Sequence, residues 1–266
     1  MTESEWRPRL ADLSWADVRE GLKETDIVVV PVGAIEQHGP HLPLGTDSFN
    51  IEAVAEKAAR LERVFVAPTL VYGVSDNHMA FSGTVTLRPR TLIDLVLDVA
   101  GSLHEHGFRR ILLLNGHSGN DSAIGVAAQE LRSALRGAVI AISSLAAFVY
   151  DGYVPRSGIV YHADEGETAH SLAVVPELVR MDRAANEVTA PFLSYYRRYA
   201  AEDGEMTRLV SYGLPSTDAL STSGIMGDAS AATAGAGRRM HEVAVSGLRR
   251  ILGDLKRTPA TGDRGS

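Results

Sequence analysis

Ile27-Val28-Val29-Val30-Pro31-Val32, running directly into Gly33-Ala34-Ile35-Glu36-Gln37-His38-Gly39-Pro40-His41-Leu42-Pro43-Leu44-Gly45-Thr46-Asp47, is the stretch on which the reading of this chain turns. An unbroken apolar run of this length, bounded by glycine, reads as a strand buried on both faces. The loop that follows is punctuated by Gly and Pro and carries two carboxylates and two imidazoles. Carboxylates and neutral imidazoles are the ligand types that hold zinc, manganese or iron. Charges at such a place are costly to bury unless something pairs them, and a cation does so most simply.

Working outward, Ser14 and Asp17 have the spacing of a helix N-cap with an acidic third position, which predicts a helix over Trp15–Lys23. Asp47 stands where the next helix should begin, and Ile51, Val54, Ala55 and Ala58 recur at helical spacing. Val64–Ala67 reads as a short strand closed by Pro68, and Tyr72–Pro89 as a loop carrying Asp76, His78 and Phe81-Ser82-Gly83-Thr84. A helix over Thr91–His106, with an apolar stripe from Leu92 to Leu103, ends at Gly107. Ile111–Leu114 is a second buried strand, and it leads into Asn115-Gly116-His117-Ser118-Gly119-Asn120. A helix over Ser122–Leu135 and a strand over Val139–Ser143 follow. Beyond Tyr150 the pattern loosens. Ile159–Asp164 leads to a helix near Glu167–Val174, then a Pro176-Glu-Leu-Val turn, a polar stretch from Asn186 to Thr217, and a last helix near Ala231–Leu255. Strands alternating with helices predict an α/β fold, its sheet mostly parallel and covered on both faces. Residues 1–257 are expected to form one domain, with 258–266 a frayed tail.

With 266 residues, 45% hydrophobic and 22% charged, the chain has the balance of a globular enzyme, and its net charge of −7 argues against nucleic acid or an anionic membrane as partner. It contains no cysteine, so disulfides, thiolate zinc sites and a thiol nucleophile are excluded. No run reaches the ~20 apolar residues of a membrane span. The first residues lack a basic region followed by an apolar core, so the expected compartment is the cytoplasm. Gly33, Gly116 and Gly119 do not have the spacing of a dinucleotide or phosphate loop, and no Gly-x-Ser-x-Gly elbow is present.

In open α/β sheets, ligands gather beyond the carboxyl ends of the strands. Glu36 and His38 follow one predicted strand, His117 follows another, and Asp47 returns from the far side of the first loop. Glu167, in the loop-to-helix segment that also holds His162, is positioned to join them. Five such ligands suit two adjacent cations with one carboxylate between them, an arrangement that binds a shared hydroxide and polarises a carbonyl for amide hydrolysis.

Gly33-Ala-Ile-Glu36-Gln-His38-Gly-Pro-His41-Leu-Pro-Leu-Gly-Thr-Asp47, together with Asn115-Gly-His117-Ser-Gly-Asn120 and His162-Ala-Asp-Glu-Gly-Glu167-Thr168, resembles the creatininase (creatinine amidohydrolase) family. Phe81-Ser-Gly-Thr84 and Gly227-Asp228 match weaker signatures of that family. The resemblance implies a three-layer α/β/α fold and two divalent metals per subunit, zinc or manganese with iron also compatible. It also implies a homohexamer built as a trimer of dimers. It makes Glu36, His38, Asp47 and His117 metal ligands, with Asp47 bridging, and His162 the histidine that handles protons. The small-molecule substrate would be met by His78, Ser82, Gly83, Ser118 and Tyr161, in a pocket drawn from Tyr72–Thr84, Phe148–Tyr161 and Ser221–Asp228.

Two positions depart from creatininase itself. The family enzyme carries a ligating glutamate two residues after its second metal-binding histidine, where this chain has Gly119; Glu167, or its neighbour His170, is the replacement donor. Creatininase also lines its pocket with mid-chain tryptophans, whereas this chain has only Trp6 and Trp15. The expected activity is hydrolysis of a non-peptide or cyclic amide C–N bond, with Glu167 and His162 as the catalytic pair. Two alternatives stand beside it. One is another bond of the same family: in a modified precursor peptide, a formylated pyrimidine or an oxidised inositol. The other is a metal-stabilised binding protein without activity. Of the remaining polar residues, Asn115 and Asn120 are expected to hold loop backbone, and His41 to be structural or substrate-facing.

Overall fold

The computed structural model describes residues 6–149, 154–156, 161–187 and 216–260. Most of the polar stretch read over 186–217, the end of the tail, and parts of Phe148–Tyr161 lie outside these residues. The principal sheet has four strands: β1 (Ile27–Val32), β2 (Phe65–Val66), β3 (Arg110–Asn115) and β4 (Val139–Ser144). All pair in parallel in the order β2-β1-β3-β4, with Val29 opposite Leu112 and Leu112 opposite Ala141.

Period-2 alternation sorts the apolar strand residues into two cores. Ile27, Val29, Leu112 and Leu114 face α2 (Thr46–Glu62), α6 (Glu165–Val174) and α7 (Ala234–Arg257), where they meet Ile51, Val54, Ala169, Met240 and Leu248. Val28, Val30, Val32, Ile111 and Leu113 face α3 (Pro89–Glu105) and α4 (Asp121–Ala134), where they meet Leu92, Val96, Ile124 and Leu131. The result is an α/β/α sandwich in three layers. Each fully buried Val, Ile or Leu contributes about 1.5–3 kcal/mol relative to exposure, which makes these two seams the main stabilising term. Pro31 is tolerated in a central strand because its missing N–H faces the side where β2 has already ended; its carbonyl is still used there, accepting from Leu70 N at 2.9 Å.

Element bounds differ from the sequence reading by up to three residues, for reasons of capping. The Ser14–Asp17 box forms as expected and opens α1 (Trp15–Gly21). α6 starts earlier than read because the Asp164 carboxylate caps it, accepting from Gly166 N and Glu167 N, so Glu167 stands within the first turn. α7 starts later because Thr233 caps it through Ala236 N. A short helix, α5 (Leu145–Val149), and a two-stranded antiparallel pair, β5 (Asn186–Glu187) with β6 (Gly227–Asp228), complete the described elements. Phe148 was expected at the pocket but is 7% exposed in the first core, against Gly247 of α7. The apolar ring gains more from burial there than it would at a polar rim.

The strand order has one consequence for function. From β1 the chain turns to β2 on one side, and from β3 to β4 on the other. The helices that follow, α2 and α4, pack on opposite faces of the sheet. The loops leaving the carboxyl ends of β1 and β3 therefore diverge, and the crevice between them is where ligands bind in open α/β sheets.

Candidate metal centre

The loop after β1 supplies Glu36 and His38, the first turn of α2 supplies Asp47, and the loop after β3 supplies His117. α2 can approach this closely because Gly33 has no side chain; a Cβ there would lie 2.4 Å from Ser48 Oγ and 2.8 Å from Ser48 Cα. The four side chains converge, all 8% exposed or less. Asp47 lies at the middle: Oδ1 is 3.2 Å from His38 Nε2 and Oδ2 is 3.2 Å from His117 Nδ1. Glu36 Oε2 is 3.1 Å from His117 Nε2. From the opposite wall, Glu167 Oε2 reaches to 3.7 Å from His38 Nε2 and His162 Nδ1 to 3.5 Å from Glu36 Oε1.

Main-chain carbonyls orient the imidazoles. His38 Nδ1 lies 3.1 Å from Glu36 O, His117 Nε2 2.8 Å from Val74 O, and His162 Nε2 2.8 Å from Gln37 O. A carbonyl only accepts, so each of these nitrogens carries the hydrogen, and in a neutral ring the other nitrogen is bare. The bare nitrogens are His38 Nε2, His117 Nδ1 and His162 Nδ1, and each points at a carboxylate. Lone pairs facing carboxylates repel unless positive charge lies between them. Among the described residues, Glu36 Oε2 and Asp47 Oδ2 are also buried without a hydrogen bond.

Without a cation, the carboxylates draw protons onto two of these rings instead. Burial opposes charge on His38, yet the Asp47 and Glu167 carboxylates raise it to about 10. Burial likewise opposes charge on His117, and Glu36 and Asp47 raise it to about 9. Asp47 is held well below the usual carboxylate range: burial pushes it up, but the His38 and His117 rings outweigh that. Glu36 is raised by burial, and His162 is held well below 6.5 by burial and the neighbouring His38. Glu36, Asp47 and His117 form one group of donor atoms within 4.8 Å of each other, and His38, His162 and Glu167 form another. Oxygen and imidazole donors without thiolate fit zinc, manganese or iron.

Gly119 also becomes intelligible. A Cβ there would lie 2.2 Å from Val74 O and 2.3 Å from His117 Nε2, so the carbonyl that orients His117 occupies the space a side chain would need. Glu167 approaches from the other wall. It is oriented by Ala163 N, which donates to Oε2 at 2.6 Å. Ala163 adopts a left-handed φ of 51°, at a cost of about 1–2 kcal/mol for a residue with a Cβ. His170, the rival donor, is turned away, its Nε2 3.2 Å from His241 Nδ1.

His78 lies in the cluster, Nε2 3.3 Å from Glu36 Oε1, and forms a third donor group with Glu36 and His162. Ser82, Gly83 and Ser118 are exposed, and Tyr161 is half-buried with its N–H donated to Asp164 Oδ2. His41 Nε2 lies 2.8 Å from Thr168 Oγ1. Sequence reasoning missed Gln37, Ser75, Thr84 and Asp164. Gln37 N donates to Thr84 Oγ1, the Gln37 amide meets His78 and His162, and Ser75 Oγ lies 3.2 Å from His117 Nε2. Gln37, Thr84 and Asp164 lay inside the motifs quoted above without a role of their own, and Ser75 carried no signal.

Acids and imidazoles gathered over the switch point of a parallel α/β sandwich form a candidate metal site of the kind that supports hydrolysis. The chain belongs to the creatininase family, whose model, described as creatinine amidohydrolase, matches residues 11–252. It is 31% identical over 189 residues to the 3-dehydro-scyllo-inosose hydrolase of Thermotoga maritima, a match spanning 68% of this chain but only 60% of that protein. It is 35% identical over 229 residues to the mycofactocin precursor peptide peptidase of Mycolicibacterium smegmatis, covering 83% of this chain and 82% of the peptidase. A crystal structure of creatinine amidohydrolase superposes with a TM-score of 0.75 at 26% identity, over 92% of this chain and 96% of that one. A manganese creatininase, 26% identical, and a mutant creatininase of zinc–zinc type, 25% identical, superpose with TM-scores of 0.75 and 0.74, each over 92% of this chain and 97% of theirs.

Proposed function

We propose that the chain is a dinuclear metal-dependent amidohydrolase, holding one cation with Glu36, Asp47 and His117 and a second with His38, Asp47 and Glu167. The observation that carries this reading is Asp47, whose two oxygens each lie 3.2 Å from a bare nitrogen of a different imidazole. Zinc or manganese bound there would polarise a substrate carbonyl and make water a nucleophile near neutral pH. His162, with Nδ1 bare and burial favouring its neutral form, stands beside Glu36 where it would take a proton from the attacking water and pass it to the leaving nitrogen. Ala163 N fixes Glu167 within reach of His38, and the burial of Glu36, His38 and Asp47 excludes bulk water from the donors.

The substrate class is a small molecule with a non-peptide or cyclic amide bond, met at the rim by Ser82, Gly83, Ser118 and Tyr161; His78 stands deeper, buried against Glu36. A second reading, a peptidase on a modified precursor peptide, is favoured by the likeness to the mycofactocin precursor peptide peptidase, which extends over most of both chains. Family resemblance further supports a homohexamer; among the described residues no helix is long and apolar enough to cross a membrane.

The test is elemental analysis of protein purified without chelator, joined to hydrolysis assays on creatinine, formamidopyrimidines, small lactams and short peptides. Two metal equivalents per chain are expected in the wild type. Glu36→Ala and His117→Ala should each lower metal content and abolish turnover. Full metal and full activity in both variants would overturn the proposal.

A further inference from the structure

Gln37 stands between two residues of the centre, and its side chain meets more partners than it has hydrogens. Its Nε2 is 2.9 Å from His78 Nδ1, 2.9 Å from His162 Nε2 and 3.2 Å from Gly224 O, while its Oε1 accepts from Gly39 N at 2.9 Å. The orientation of an amide has to be assigned from its network. Turned over, the amide would set its oxygen against Gly224 O and its NH2 against Gly39 N–H, two contacts between like groups. The orientation is therefore fixed by two main-chain partners, and one amide hydrogen goes to Gly224 O.

The second hydrogen has two claimants. His162 Nε2 is already committed as a donor, because it lies 2.8 Å from Gln37 O. His78 Nδ1 therefore accepts the remaining amide hydrogen, and the Thr217 hydroxyl, 3.3 Å away, can donate to the same nitrogen. One N···N approach, between Gln37 Nε2 and His162 Nε2, is left with its hydrogens turned aside; giving that hydrogen to His162 instead would create two clashes of like groups. With Nδ1 bare, neutral His78 carries its hydrogen on Nε2, which faces Glu36 Oε1 at 3.3 Å. His78 and His162 lie with ring centroids 4.5 Å apart beside the same carboxylate oxygen, yet one presents a hydrogen to it and the other a lone pair.

We propose that Gln37 is a positioning residue that fixes the tautomer of His78, making it a hydrogen-bond donor to Glu36 and keeping it out of the metal-ligand set. Glu36, His78 and His162 have the spacing of a cation site. The amide closes that site, because a ligating His78 Nε2 would require an Nδ1–H pointing into the Gln37 NH2. Glu36 Oε1 is thereby occupied by His78, and Oε2 is left for the cation shared with Asp47 and His117. The purpose of the device rests on the proposed centre; the tautomer does not.

The test is the pattern of imidazole nitrogen and carbon-bound proton correlations in 15N-histidine-labelled full-length protein, assigned with His78→Gln and His162→Gln. In the wild type, both His78 and His162 should appear with hydrogen on Nε2. In Gln37→Glu the carboxylate accepts instead, so His78 should invert to the Nδ1–H form while His162 keeps Nε2–H, and the metal content should rise by one equivalent per chain. In Gln37→Met, His78 should lose its fixed form and His162 should not change. A wild-type His78 with hydrogen on Nδ1, or a His78 pattern unmoved by either substitution, overturns the proposal. Elemental analysis of the same wild-type sample reports separately on the metal centre, so failure of one reading is distinguishable from failure of the other.

Discussion

Asn120 is fully buried, and its amide ties three segments that converge on the centre. Oδ1 accepts from Val74 N at 2.9 Å; Nδ2 donates to Gly33 O at 3.0 Å and to Asn115 Oδ1 at 3.3 Å. Asn120→Ala removes all three bonds at once. Asn115 Oδ1 keeps a partner in His117 N, so the groups left unsatisfied are the Val74 N–H and the Gly33 carbonyl. Each buried orphan costs about 1–3 kcal/mol, giving about 2–6 kcal/mol for the pair, and water entering the vacated space would bring the loss toward the lower half of that range. We expect a loss of about 2–4 kcal/mol, read as a lower urea midpoint at unchanged slope. The substitution should also lower metal retention, because Val74 O orients His117. Asn120→Asp separates hydrogen bonding from volume: it keeps the acceptor for Val74 N but turns a second oxygen toward Gly33 O. It should be at least as destabilising at neutral pH and recover as the pH falls and the carboxyl protonates. A loss below about 0.5 kcal/mol for Asn120→Ala would refute this accounting, since it lies within the range of an ordinary surface change.

Two further outcomes are expected. Glu167→Gln should cost about one metal equivalent per chain while His170→Asn retains both, measured by elemental analysis, because only Glu167 faces His38. Acid sensitivity should follow His170, which burial and the neighbouring His241 lower from 6.5 to about 3. A folded pKa below the unfolded one means that the native state binds fewer protons, so this stability is present above about 6.5 and is lost as the pH falls toward 3. The slope approaches about 1.4 kcal/mol per pH unit. Thermal unfolding of His170→Asn between pH 7 and 5 should therefore be flatter than that of the wild type; parallel curves would exclude the explanation. His241, itself lowered by burial and Lys57 against the opposing Glu242, adds a pH dependence of the same sign to both proteins and should not reverse the difference.

How much was legible in the sequence depended on how local the determining interaction is. β1 and β3 declared themselves as apolar runs, and Ser14 with Asp17 declared a cap, because both patterns are complete within a few residues. The layers followed from strand–helix alternation. Glu36, His38, Asp47 and His117 were legible because strand ends bring such residues to one rim, a property of the fold class. What escaped depends on pairs far apart in the chain. Gln37 meets Gly224, 187 residues on, and Thr84, 47 residues on. Ser75 reaches His117 across 42 residues, and no periodicity encodes such distances. Phe148 was misplaced for a related reason, since only the packing of Gly247 beneath it shows that an aromatic near the expected pocket belongs to the core.

The same contrast explains why one missing ligand need not disable the centre. His38, His117 and His162 each set one nitrogen against a main-chain carbonyl, of Glu36, Val74 and Gln37 respectively. Their bare nitrogens are thus fixed by the path of the backbone beyond the strand ends, whatever occupies the next position. Such a frame tolerates a change in where the last carboxylate comes from, provided that the donor meets the same cation. At Gly119 the orienting carbonyl excludes a side chain altogether, while a strained Ala163 and an Asp164 cap deliver Glu167 from a helix some fifty residues later. On the proposed reading the last carboxylate therefore comes from the wall opposite Gly119. His38 and His117 have less freedom, because moving either ring would mean moving the loop that leaves β1 or β3.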